Sequence, residues 1–278
     1  MRKKIVIIIG AMKCGTTSLF HYLAQHPLII PSKNKEPHFF SEDAVYQRGL
    51  DWYESLWLGN LEEGIGIEAS TTYTMNPKYP QVIQRIVEAQ DDYDFKFIYI
   101  LRDPISRLQS HMRHLIAGGH VGHTELVDDY IWYSEYARQL TLFSDAFGRN
   151  KIHVMLLEDL KENPDEEVQN IYEFLELPQS PIDHSIILNS QNTLNINPFV
   201  RKIYESGLVK SLAQKMFSPQ VRQLMYKPLA RRETIKAHLT NEQCRIYLSR
   251  LSHDLIQLRE DYDVPIEKWD LSIPELIS

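Results

Sequence analysis

Five aliphatic residues, Ile5 to Ile9, feed straight into Gly10-Ala-Met-Lys-Cys-Gly-Thr-Thr-Ser18. The aliphatic run reads as a buried strand, and Leu19, Phe20 and Leu23 are spaced for one face of a helix over 16–24. Strand, glycine-bounded loop and helix in succession belong to chains that alternate strands with helices, and the pattern recurs. A second buried run, Phe95 to Leu101, leads into Pro104, which opens another helix; a short strand is expected over 65–68. The implied fold class is α/β: one domain over 1–278, a central, mostly parallel sheet with helices on both faces. Its least regular part is 178–198, followed by a helical portion over 199–278.

In such a sheet, ligands bind beyond the carboxyl ends of the strands. Lys13 follows the first strand, Arg102 follows the strand ending at Leu101, and Glu68 closes the strand at 65–68, so all three fall on one rim. The loop itself is built for an anion. Helix-start amides converge on it, Gly10 and Gly15 permit a tight turn, and Thr16, Thr17 and Ser18 add hydroxyl donors. An ordinary glycine-containing turn is the plain alternative. The loop has the glycine spacing of G-x-x-x-x-G-K-[ST], yet Thr16 occupies the lysine position and the lysine lies inside, at Lys13. No hydrophobic strand ends in an aspartate suited to magnesium. A displaced lysine without a metal ligand suits a sulfuryl group, which carries less charge than a triphosphate. In Arg102-Asp-Pro-Ile-Ser-Arg107, the first arginine offers a planar fork for phosphate. Helix-start charge pairing is the alternative.

Taken together, these two segments resemble the PAPS-dependent sulfotransferases (PAPS is 3′-phosphoadenosine 5′-phosphosulfate). The resemblance assigns Lys13, Cys14, Gly15, Thr16, Thr17 and Ser18 to a P-loop-like 5′-phosphosulfate site, and Arg102 with Ser110 to the 3′-phosphate. The segment Lys35-Glu-Pro-His-Phe-Phe40 narrows it to the heparan sulfate and carbohydrate branch, whose E-x-x-F-F glutamate is the catalytic base. Gly49-Leu-Asp-Trp-Tyr53, Glu68-Ala-Ser-Thr-Thr-Tyr73, the helix-like 133–147 and Lys151 to Leu160 agree with that branch. The resemblance spans 5–177. After Pro178 the glycine-arginine segment of heparan-type enzymes is missing, and Arg201 and Lys202 are its substitutes. The region from Leu239 to Trp269 is closer to bacterial sulfotransferases.

The resemblance implies in-line transfer of a sulfuryl group from PAPS, leaving PAP, to a hydroxyl or amine of a carbohydrate or glycolipid-like acceptor. A small natural product or lipid is the alternative acceptor. Glu36 is the implied base, helped by a dry pocket beside Phe39 and Phe40 that raises its pKa; its plain alternative is a loop glutamate paired with Lys33 or Lys35. His38, two residues on in an extended segment, shares its face and either orients Glu36 or the acceptor or replaces it as base. Lys13 stabilises the leaving oxygen. No metal is expected, although His111, His114, His120 and His123 cluster in sequence. Tyr133, Tyr136 and Phe143 are read as core. A kinase, or a non-catalytic PAP-binding protein, is the competing class, opposed respectively by the position of Lys13 and by Lys13 together with Glu36.

The net charge of −7 argues against nucleic-acid binding and against a long, highly sulfated acceptor. The apolar run at the start is too short for a signal peptide, no run reaches transmembrane length, and two cysteines form no framework, so a cytoplasmic location is expected. A helix start lowers a thiol's pKa, which leaves Cys14 open to redox control.

Overall fold

Ile5 to Ile9 are buried and lie in the central strand of the sheet, which explains why the run shows no polar alternation. The computed structural model describes residues 2–117, 128–184, 239–269 and 271. In chain order these form β1 (Lys3–Gly10), α1 (Thr16–Leu23), β2 (Ile29–Pro31), α2 (Asp43–Tyr46), α3 (Gly49–Glu54), β3 (Ile65–Glu68), α4 (Val82–Glu88) and β4 (Tyr93–Leu101). There follow α5 (Pro104–Ala117), α6 (Asp128–Trp132), α7 (Tyr136–Phe147), β5 (Ile152–Leu156), α8 (Leu157–Glu162), α9 (Pro164–Phe174) and α10 (Asn241–Tyr262).

The sheet has five strands in the order β2-β3-β1-β4-β5, and every pairing is parallel. From β1 the chain crosses to β2 at one edge and returns inward through β3, then passes to β4 and β5 on the other side, so β1 and β4 flank the point where the winding reverses. Loops leaving their carboxyl ends diverge there and open a crevice. The β1–β4 register shifts between Ile8 and Gly10, and the Ala11 amide still reaches the Ile100 carbonyl at 2.8 Å. The anion loop therefore begins while still bonded to β4.

The chain divides into two compact units. The first comprises Met1–Leu108, Leu126–Leu188 and Leu239–Ser278 and contains the whole sheet. The second comprises Gln109–Glu125 and Asn189–His238; its described part is the distal portion of α5. In the first unit, Tyr133, Tyr136 and Phe143 are buried, as their helical spacing suggests. The Asp254 carboxylate of α10 accepts the Ala137 and Arg138 amides at 3.1 and 2.8 Å, capping the start of α7. Thr240 and Gln243 form a reciprocal capping box at the start of α10. The expected helical character after 199 is thus described for α10; Arg201 and Lys202 lie outside the described residues, as do His120 and His123. Among the described residues, no helix is long and apolar enough to cross a membrane.

Candidate functional site

The loop after β1 has the backbone that its glycines foretell. Gly15 sits at φ 87 and precedes α1 with no side chain capping the helix. A Cβ there would come within 2.6 Å of Leu157 Cδ1, so both conformation and space demand glycine. Lys13 is also left-handed, at φ 72, and half-buried. Thr16 is buried, Thr17 exposed and Ser18 half-buried, which sets hydroxyls and first-turn amides around the same helix start.

Arg102 leaves the end of β4 beside this loop. Its Nη1 donates to the Lys13 carbonyl at 3.3 Å, and the Tyr136 hydroxyl donates to the Arg102 carbonyl at 2.9 Å. Its Nε is buried with no hydrogen-bond partner among the described residues. A buried guanidinium N–H left unmatched is costly. Placed beside an uncapped helix start, it fits an anionic group bridging the two loops. The Asp103 carboxylate accepts the Ser106 amide at 2.6 Å, so Asp103 and Pro104 begin α5 as a cap and a first-turn proline. Arg107 turns inward, wholly buried, and donates to the Ser134 hydroxyl at 2.6 Å and the Tyr130 carbonyl at 2.9 Å rather than to a carboxylate. Ser110 lies further along α5, in the second unit.

Cys14 corrects an expectation. Its thiol is fully buried, 3.9 Å from the Tyr136 hydroxyl, and burial pushes its pKa up to about 12 against the lowering pull of Arg107 and Arg102. The helix start does not activate it. The Cys14 amide is also engaged, donating to the Ala11 carbonyl at 3.1 Å.

The segment carrying Glu36 and His38 is pinned to the end of β3. The Ala69 amide donates to the Lys35 carbonyl at 2.7 Å, and the His38 amide donates to the Ser70 hydroxyl at 3.0 Å. Ser70 is itself held by Glu68, whose carboxylate accepts the Ser70 amide at 3.0 Å and hydroxyl at 2.6 Å. Tyr73 and Tyr53 donate to its other oxygen at 2.9 and 3.2 Å. Glu68 closes β3 as expected, but its side chain is wholly buried, and desolvation raises its pKa to about 7 despite these donors. It supports the rim from beneath.

His38 has φ 55, so the segment is not extended as the sequence suggested. The bend still brings His38 Nε2 to 3.9 Å from Glu36 Oε2, while His38 Nδ1 lies 3.0 Å from the Thr72 hydroxyl. Phe39 and Phe40 do not form a dry wall beside Glu36. Both rings enter the core, Phe39 stacking on Tyr53 at 4.6 Å, and the Glu36 side chain is 35% exposed. Lys35 is the residue that sequence reasoning passed over as a site candidate. Its Nζ donates to Glu36 Oε1 at 2.5 Å and to the Thr16 hydroxyl at 3.5 Å, linking the carboxylate to the anion loop. The ion pair foreseen as the plain alternative for Glu36 is therefore present, and it lies at the rim. Tyr136, Ser70 and Thr72 were also unforeseen as supports. Among the described residues, no three His, Cys, Asp or Glu side chains are placed to hold a metal ion.

The profile of the sulfotransferase domain matches residues 3–250. The chain belongs to the sulfotransferase family. The match extends well past Leu177, where the legible resemblance ended. This sulfotransferase is 25% identical over 248 residues to the mouse (Mus musculus) heparan sulfate glucosamine 3-O-sulfotransferase 6, covering 81% of this chain and 69% of that protein. It is 25% identical over 201 residues to the human (Homo sapiens) heparan sulfate glucosamine 3-O-sulfotransferase 5, covering 66% of this chain and 56% of that one. The chain thus spans between about half and two thirds of the length of these relatives. A sulfotransferase structure from Alicyclobacillus acidocaldarius superposes with a TM-score of 0.65 at 21% identity, over 97% of this chain and 99% of that one, and so shares the fold.

Proposed function

We propose that this sulfotransferase takes PAPS as donor and transfers its sulfuryl group, by in-line displacement, to a hydroxyl or amine of a carbohydrate or glycolipid-like acceptor. The observation that carries the reading is the Lys35 bridge. It holds the Glu36 carboxylate beside Thr16, the first residue of the helix at the anion loop. Base and donor site then face one rim. In this reading the first-turn amides of α1, Lys13 and the hydroxyls of Thr16, Thr17 and Ser18 hold the 5′-phosphosulfate. Arg102 supplies its unmatched Nε to the 3′-phosphate, with Ser110 as the family's second contact. Arg201 and Lys202, outside the described residues, are the candidates that the sequence offers for further nucleotide contacts.

Chemically, Glu36 takes the proton that the acceptor loses as its bond to sulfur forms. Lys13, Thr16 and Thr17 stabilise the charge left on the bridging oxygen as its bond to sulfur breaks and PAP departs. His38, oriented by Thr72 and Ser70, positions Glu36 or the acceptor. The names of the heparan sulfate relatives support a carbohydrate acceptor, and the net charge of −7 favours one with few sulfates of its own. Both cysteines are free, which fits a reducing, cytoplasmic setting.

The test is calorimetry with PAP, ADP and AMP in the absence of metal, followed by sulfate transfer from PAPS across a panel of saccharides, glycolipids and small hydroxylated lipids. PAP is expected to bind most tightly. Arg102→Ala is expected to weaken PAP by about 1.5–3 kcal/mol, the scale of a charged hydrogen bond. Equal affinity for PAP and ADP would overturn the 3′-phosphate assignment.

A further inference from the structure

Lys35 presents a conflict that the proposed chemistry has to resolve. A carboxylate oxygen already bonded to an ammonium group is not free to meet an acceptor's proton. Yet Glu36 Oε1 lies 2.5 Å from Lys35 Nζ, and the Lys35 side chain is only 18% exposed. The same Nζ is 3.5 Å from the Thr16 hydroxyl. The Lys35 backbone is fixed to β3 through the Ala69 amide, so the side chain pivots about a held point. One ammonium group thus stands between two claimants: a single-charged carboxylate and the place where a multiply charged donor would sit. Charge-assisted bonds to phosphate or sulfate oxygens compete directly with the carboxylate for it. Among the described residues, the charged or titratable groups near this pair include His38, 3.9 Å from the second Glu36 oxygen, and His21, whose pKa is lowered by burial and then by the Lys35 charge.

We propose that Lys35 is a shared cation that ties the availability of the Glu36 carboxylate to donor occupancy. With the donor site empty it holds Glu36 masked. With the donor in place it turns to the phosphosulfate, and Glu36 is released to take the acceptor's proton. Lys35 is accordingly a donor-binding residue that also positions the base. The inference rests on the proposed reading of Glu36 as base and of the loop as donor site. It has a thermodynamic signature independent of any acceptor: Glu36 and the donor compete for Lys35, so each weakens the other's hold on it.

The experiment is a double-mutant cycle on PAP and PAPS affinity, measured by calorimetry without acceptor, for the wild type, Lys35→Met, Glu36→Gln and the double variant. Thermal melts establish that each is folded. Lys35→Met is expected to weaken PAPS about tenfold, and Lys35→Arg to restore much of that loss. Glu36→Gln is expected to tighten PAPS about threefold or more by removing the competitor, and to do so by less than about twofold once Lys35 is gone. If Glu36→Gln tightens binding equally in both backgrounds, the effect is simple charge removal and the sharing is overturned. Unchanged affinity in Lys35→Met, with wild-type binding intact, also overturns it while leaving the donor assignment standing. A wild type that binds neither PAP nor PAPS sinks the donor assignment itself, and the shared cation with it.

Discussion

Replacing Glu68 by glutamine tests whether the buried carboxylate beneath the rim is a structural support. Four donors converge on it: the Ser70 amide and hydroxyl on one oxygen, the Tyr73 and Tyr53 hydroxyls on the other. Near pH 5 the buried group is protonated and its hydroxyl oxygen still accepts, whereas glutamine replaces that oxygen with NH2, so at least one of the two tyrosine donors loses its acceptor. An unmatched buried donor costs about 1–3 kcal/mol, which sets the destabilisation expected at pH 5. The pH dependence carries a definite sign. The Glu68 pKa rises from 4.5 to about 7 on folding, so its contribution is complete below about 4.5 and declines as pH rises through 7. Glutamine has no such titration, so the wild-type advantage should shrink from pH 5 to about pH 7 and level off above it. Asp254, raised to about 7 by burial, titrates in both proteins and cancels in the difference. Urea unfolding of both proteins across that range is the assay. PAP affinity should change less than twofold, since Glu68 bonds to no residue of the anion loop, whereas transfer should fall because Ser70 anchors the His38 amide. A loss below about 1 kcal/mol at pH 5, or an advantage that grows with pH, would refute this account of the network.

Lys13→Ala should lower kcat by about 10²–10³ while PAP affinity falls less, because amides and hydroxyls of the helix start remain; steady-state kinetics with an identified acceptor checks the split. Glu36→Gln should keep the fold and remove about 10²–10⁴ of the transfer rate, with His38→Asn less damaging and visible also in acceptor KM. The reverse order would make the histidine the base. Gly15→Ala should destabilise the fold by at least about 1 kcal/mol and weaken PAP binding, since the new methyl meets Leu157 at a left-handed backbone position; denaturant midpoints and calorimetry report both. A chromogenic disulfide reagent at pH 8 should label the half-buried Cys244 in the folded protein and leave Cys14 unmodified until unfolding, which mass spectrometry of the labelled peptides will show.

The parts of the fold that were legible in sequence are those where one local pattern has one physical cause. Ile5 to Ile9 can only be buried on both faces, and Gly10 and Gly15 bound a turn that a Cβ would obstruct. The strand ends at Gly10, Glu68 and Leu101 followed from the same logic and put Lys13 and Arg102 on one rim. Side-chain direction was harder to read. The sequence placed Phe39 and Phe40 beside Glu36, but a left-handed residue at His38 precedes them and both rings point into the core. Cys14 sits in the anion loop yet faces Tyr136, a residue 122 positions away, and only that tertiary contact reveals its burial. Lys35 looked like a mere neighbour of Glu36 because its second partner, Thr16, lies across a loop and a strand pairing that no local spacing encodes.

The bond from Arg102 to the Lys13 carbonyl joins two loops 89 residues apart in sequence. Folding, rather than ligand, thus sets the distance between them. The ordering entropy of bringing both loops together is spent when the sheet forms, so it does not recur at each encounter with a nucleotide. Association should then proceed as docking into a preset groove, with little loop rearrangement and an on-rate little changed by rim substitutions that preserve charge. Differences among nucleotides would be written in how long they stay. Insertions between the two strands that spare the anion loop and the 35–40 segment and keep the β1–β4 register should leave that groove unchanged, so those loops can vary with the acceptor.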